Sequence, residues 1–121
     1  MASNTVILVT NDGLGSVAPD APDHERDFSR TMFDRFVHTL EATPEKPQAM
    51  CFYTRGVFLP CEGSPALLGL QLLSGLGVRL VSCQTCLQHY QLVDKLRVGE
   101  VGGMQEIVTL LNAADKVITV S

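Results

Sequence analysis

Short apolar runs of strand length alternate along this chain with longer stretches in which apolar residues recur every three or four positions. Residues 5–10 (TVILVT) are β-branched and apolar on both faces, as a parallel strand covered by helices should be. From Asp23 the period changes: Phe28, Met32, Phe36 and Leu40 share one side, with Glu25, Arg26, Arg30 and Arg35 opposite. An amphipathic helix is therefore expected, ending near Thr43 before Pro44 and Pro47. Residues 49–54 (AMCFYT) read as a second buried strand. Ser64 and Pro65 read as a helix start that opens a leucine-rich helix, with Gly75 and Gly77 ending it. Residues 78–82 (VRLVS) form a third strand that leads into Cys83. A short helix over 85–90, a strand near 96–101, a helix over 103–113 and a last strand over 116–120 complete the pattern.

Five strands alternating with helices predict a three-layer α/β/α domain with a mostly parallel sheet. Right-handed crossovers then bring the strand-to-helix loops to one edge of that sheet, where open α/β sheets bind ligands. The residues expected there are Asn11 and Asp12, Thr54 and Arg55, and Ser82 and Cys83.

At 121 residues, 45% hydrophobic and 18% charged, the chain reads as one domain over 1–121 whose core needs neither disulfides nor a metal. Nine basic against thirteen acidic side chains give a net charge of -4. That balance lacks the basic excess phosphate-backbone contacts need, so nucleic acid is not expected as a direct partner. The longest uncharged run, residues 63–78, contains four glycines and falls short of the roughly twenty apolar positions of a span, so no membrane segment is expected. The start of the chain has no basic region or small-residue cleavage site, which predicts a cytoplasmic protein.

In a reducing compartment the four cysteines, Cys51, Cys61, Cys83 and Cys86, are expected to be buried, reactive or metal-bound rather than paired as a framework. Cys83 stands where a buried strand gives way to a helix, and Cys86 lies within the first turn. Backbone N–H groups and the helix dipole favour thiolate there, so one or both are expected to be reactive. Zinc is not expected, because Cys51 and Cys61 are ten residues apart and form no second close pair. Cys51 reads as a core residue, and Cys61 as a loop residue near the active edge. Gly13, Gly15 and Ala18 fit G-x-G-x-x-A, but Pro19 and Pro22 delay the helix and no acidic residue follows the second strand, so a dinucleotide is not expected. His89, one turn after Cys86, is placed to shuttle a proton, and Arg55 to favour an anionic sulfur.

Ser82, Cys83, Gln84, Thr85, Cys86, Leu87, Gln88, His89 and Tyr90, followed by Lys95-Leu96, Val98-Gly99-Glu100, Met104 and Glu106-Ile107-Val108, resemble the C-terminal domain of YedF-type proteins in the DsrE/DsrF-like group of small sulfurtransferases. Asp12 with Gly15, Met32 with Phe36, and Gly56-Val57 with Leu59 agree with it. The resemblance implies a flavodoxin-like α/β domain in which a cysteine carries sulfur, or selenium, as a persulfide. It assigns the cysteines to Cys83 and Cys86 and the aromatic to Tyr90, with Asn11, Asp12, Arg55, Gln84, Thr85 and His89 in support. It also implies a homotrimer or larger homo-oligomer, and no cofactor. Such proteins often carry a preceding TusA-like sulfur-carrier domain, so that carrier is expected here as a separate partner protein. Gln84 stands where the pattern usually has glycine.

Two other readings of the same residues stay open. The C-x-x-C could serve a dithiol oxidoreductase. Alternatively, the cysteines pack in a non-catalytic oligomeric binding module. In the sulfur-carrier reading Cys83 attacks a donor persulfide and Cys86 resolves it.

Overall fold

The computed structural model describes residues 4–121. Five strands, β1 (Thr5–Val9), β2 (Ala49–Phe52), β3 (Arg79–Cys83), β4 (Glu100–Gly102) and β5 (Lys116–Val120), form one sheet in the order β4-β3-β2-β1-β5. Every pairing in the sheet is parallel. The helices α1 (Asp23–Ala42), α2 (Leu67–Gly75), α3 (Gln84–His89) and α4 (Met104–Ala113) connect the strands, joined by two short 3₁₀ turns over Thr54–Phe58 and Val93–Lys95.

The strand order decides which face each helix covers. β1 to β4 follow one another in a single direction, so right-handed crossovers place α1, α2 and α3 on one face. The step from β4 to β5 runs back across the sheet and places α4 on the other. The cores agree: Ile7, Val9, Met50, Phe52 and Leu80 pack with Phe33, Val37, Leu70, Leu73 and Leu87. Val6, Ala49, Cys51, Val81 and Cys83 pack with Ile107 of α4. The period of two along each strand thus divides its residues between the two cores.

Boundaries shift from the sequence reading at several elements: β1 ends at Val9, β3 runs over Arg79–Cys83 rather than 78–82, and α4 starts at Met104. α2 begins at Leu67 rather than near Ser64, because Ser64 Oγ accepts the Ala66 N–H at 3.1 Å and holds a turn ahead of the helix. β4 is confined to Glu100–Gly102, while Leu96 forms an isolated antiparallel bridge with Cys61. β2 stops at Phe52, and Thr54–Phe58 winds into a 3₁₀ turn where only a loop was expected. α3 runs over Gln84–His89, one residue earlier at each end than expected. None of the described helices is long and apolar enough to cross a membrane.

Candidate functional site

The C-terminal ends of β1, β2 and β3 deliver three loops to one edge, as expected. Asn11 and Asp12 follow β1, Thr54 and Arg55 follow β2, and Cys83 ends β3. Tyr53 N–H donates to Val9 O at 2.9 Å, tying the second loop to the first strand. Thr54 then takes a left-handed conformation, φ +49°, unfavourable for a β-branched residue. Its hydroxyl lies 2.8 Å from the carbonyl oxygens of Thr10 and Tyr53 and holds it in place. The consequence is that Thr54 N–H, free of any sheet ladder, donates to Cys86 Sγ at 3.0 Å.

The two C-x-x-C sulfurs differ sharply in access. Cys83 lies two residues beyond Val81 on the same sheet face, among Cys51, Val81 and Ile107, and is 1% exposed. Cys86, one turn into α3, is only partly buried and touches both cores. The Cys83 thiol lies close enough to act on that of Cys86. Burial raises the Cys86 pKa, the Thr54 N–H works against that rise, and the neighbouring Cys83 thiol adds to it, so the net shift is upward. The favoured thiolate expected from position alone is thus not found at Cys86. The other two cysteines are buried. Burial pushes the Cys51 thiol to about 11. Cys61, in the connection between the 3₁₀ turn and α2, is 1% exposed, and burial likewise raises its thiol.

Asp12 organises the neighbouring charges. Its Oδ2 accepts from Arg55 Nη2 at 3.0 Å and from Arg30 Nη2 at 3.2 Å. Burial alone would raise its pKa, but the bonds from Arg55 and Arg30 outweigh it, and the carboxyl sits below its ordinary value. Asn11 Oδ1 accepts the Asp12 N–H at 2.9 Å and steadies this turn. The Arg55 guanidinium lies 5.0 Å from the Phe58 ring centroid and 6.0 Å from that of Tyr90. Tyr90 packs against Phe58 and against His89, both at 4.8 Å between centroids. Gln84 and Thr85 are exposed at the start of α3. Asn11, Asp12, Arg55, Cys86 and Tyr90 therefore line one edge, whereas Cys83 lies beneath it and His89 is engaged with Tyr90.

Sequence reasoning missed the parts played by Thr54 and Arg30. Nothing in the local sequence marks Thr54 as left-handed. Arg30 reads as the outer side of an amphipathic helix until the fold brings it to Asp12. Among the described residues no three His, Cys, Asp or Glu side chains gather as a metal-binding group.

Comparison with known proteins gives three findings. A family model described as the DsrE/DsrF-like family matches residues 21–120. No curated protein matches the chain. Among solved structures, the YchN protein from E. coli is 17% identical with a TM-score of 0.62, over 98% of this chain and 99% of that one. A protein of unknown function from Methanobacterium thermoautotrophicum, MTH1491, is 21% identical with a TM-score of 0.68, over 97% of this chain and 98% of the other. At these identities the likeness concerns the fold.

Proposed function

This chain belongs to the DsrE/DsrF-like family, and on that premise we propose that it is a sulfurtransferase or sulfur carrier that holds persulfide sulfur on Cys86. The observation that carries the reading is the Thr54 N–H aimed at the sulfur of the one C-x-x-C cysteine that a donor can reach. A hydropersulfide is a stronger acid than a thiol, and a backbone donor held in a strained turn stabilises the anion it becomes. The assignment reverses the roles first expected for the two cysteines, because a nucleophile needs access that Cys83 lacks.

In the first step the Cys86 sulfur, giving up its proton, attacks the terminal sulfur of a donor persulfide. A new S–S bond forms on Cys86, and the donor departs as thiolate. In the second step an acceptor thiolate attacks the outer sulfur of Cys86, takes it as its own persulfide, and leaves the Cys86 thiolate behind. Alternatively Cys83 attacks the inner sulfur, expels hydrosulfide and leaves a Cys83–Cys86 disulfide that a dithiol must reduce. The first route conserves sulfur atoms and electrons between donor and acceptor. In the second the sulfur leaves two electrons reduced, as hydrosulfide; those electrons come from the Cys83–Cys86 dithiol, and the external dithiol restores them. The resemblance of residues 82–90 to YedF-type domains supports a TusA-like carrier as the proposed partner.

The nearness of the Cys83 and Cys86 thiols also favours a second reading, a dithiol oxidoreductase that cycles between two thiols and a disulfide. Intact-mass measurement after exposure to a low-molecular-weight hydropersulfide separates the two. The wild type and Cys83→Ser should gain the mass of one sulfur atom, and Cys86→Ser should not. Sulfur retained by Cys86→Ser would return the carrier role to Cys83. A wild type that forms only the disulfide, with no sulfur retained by Cys83→Ser, would establish the dithiol reading instead.

A further inference from the structure

We propose that the cavity beside β1 and α1, which shares Asp12 and Arg55 with the Cys86 edge, is a binding site for a small organic phosphate. The cavity measures about 310 Å³, within the lower range of small-molecule sites. Asp12, Arg26, Arg30 and Arg55 line it, with Val17 and Pro19 contributing apolar wall. Three guanidinium groups facing one carboxylate leave the cavity positive, in a chain whose net charge is -4.

The arginines are already arranged for an oxyanion. Arg30 and Arg55 converge on a single oxygen, Asp12 Oδ2, so their forks meet at one point. Arg26 approaches from the first turn of α1 and is held by one bond, Nη2 to Pro19 O at 2.9 Å. Each guanidinium spends one nitrogen on these contacts, and a guanidinium has five N–H donors in all. Planar forks arriving from two turns of α1 and from the 3₁₀ turn suit a tetrahedral anion, which offers oxygens in three directions; a carboxylate offers two in a plane.

The wall is built in advance. Leu14 N–H donates to Ser29 O at 2.9 Å, and Gly15 N–H donates to Ser121 O at 3.0 Å. Ser29 Oγ, buried under the loop, is 3.2 Å from Leu14 O and 3.0 Å from Gly15 O. These bonds tie the loop to α1 and to the end of the chain, so little ordering is needed when a ligand enters. Val17 and Pro19 leave room for a compact organic body beyond the phosphate.

Titration of the full chain followed by amide NMR, with inorganic phosphate and with glycerol 3-phosphate, each against sodium chloride at matched ionic strength, tests the site. Saturable shifts at residues 11–17 and 26–30 are expected for both, with glycerol 3-phosphate binding more tightly. Arg26→Gln and Arg30→Gln should each weaken binding at least fivefold, and Arg35→Gln, on α1 outside the cavity, should not. Arg26 has only its bond to Pro19 to lose, so Arg26→Gln keeps the test decisive should Arg30→Gln disturb folding. Shifts no larger than those from chloride, or equal binding by Arg26→Gln and wild type, would overturn the proposal.

Discussion

Asp12 shows how one side chain joins distant segments. It follows β1, yet its carboxylate holds Arg30 from α1 and Arg55 from the turn after β2. Its folded-state pKa lies below the ordinary value, so its contribution to stability is fully present above the unfolded pKa, about 3.9. That contribution is lost as pH falls through the still lower folded value. Asp12→Asn should therefore cost about 1 kcal/mol at neutral pH, discounted because both arginines are half exposed. Urea unfolding of the two proteins across pH should show that gap closing below about pH 4. A gap of constant size would mean that the carboxylate charge is not what stabilises the turn. The cysteines carry the complementary lesson. Cys83 and Cys86 are three positions apart in sequence, but one belongs to a strand that alternates into the α4 core and the other to a helix that returns to the surface. The burial of Cys83 was missed because the strand was read as ending at Ser82, whereas it continues the period of two from Val81 through Cys83. The Thr54 N–H that meets Cys86 was not legible either, because it comes from 32 residues away.

Among elements, the 3₁₀ turn over Thr54–Phe58 matters most, since it sets both the Cys86 hydrogen bond and the position of Arg55. It lies directly against the end of β1. A Cβ on Gly56 would run into the carbonyl oxygen of Val9, which is backbone and cannot swing aside. Gly56→Ala should thus destabilise the protein by about 1–3 kcal/mol, read as a lower urea midpoint with an unchanged slope. A midpoint equal to that of the wild type would show that the turn can move off β1. The sequence reading had a loop here because five residues without apolar periodicity give no signal for a 3₁₀ turn. The long helix α1 and the terminal strand β5 were legible, since each carries a sustained pattern of its own.

For the molecule as a whole, the strand order leaves apolar surface on its outside. α2 covers the sheet with Leu70 and Leu73, while Leu68, Leu72 and Leu76, spaced by four, stand 64%, 41% and 54% exposed along its outer stripe. On the opposite face α4 works alone, and Met104, Val108 and Val117 remain exposed. We propose that the α2 stripe pairs copies of this chain in a homo-oligomer, the assembly the sequence led us to expect. Leu68→Glu should leave the folding of each subunit within about 0.5 kcal/mol of wild type, because the residue is outside the core. Light scattering after size exclusion should show it reduced to monomer. A wild type that is itself monomeric would remove the assembly.

By itself the sequence determined the alternation of strands and helices, the parallel sheet that follows from it, and the three loops that share its edge. Each of these rests on periodicity within a few turns of chain, which local residues specify. Only the tertiary structure decided which thiol faces outward, which backbone N–H meets it and which arginines share Asp12. Those are contacts between residues far apart in the chain, and they depend on crossovers and strand order that no local pattern records.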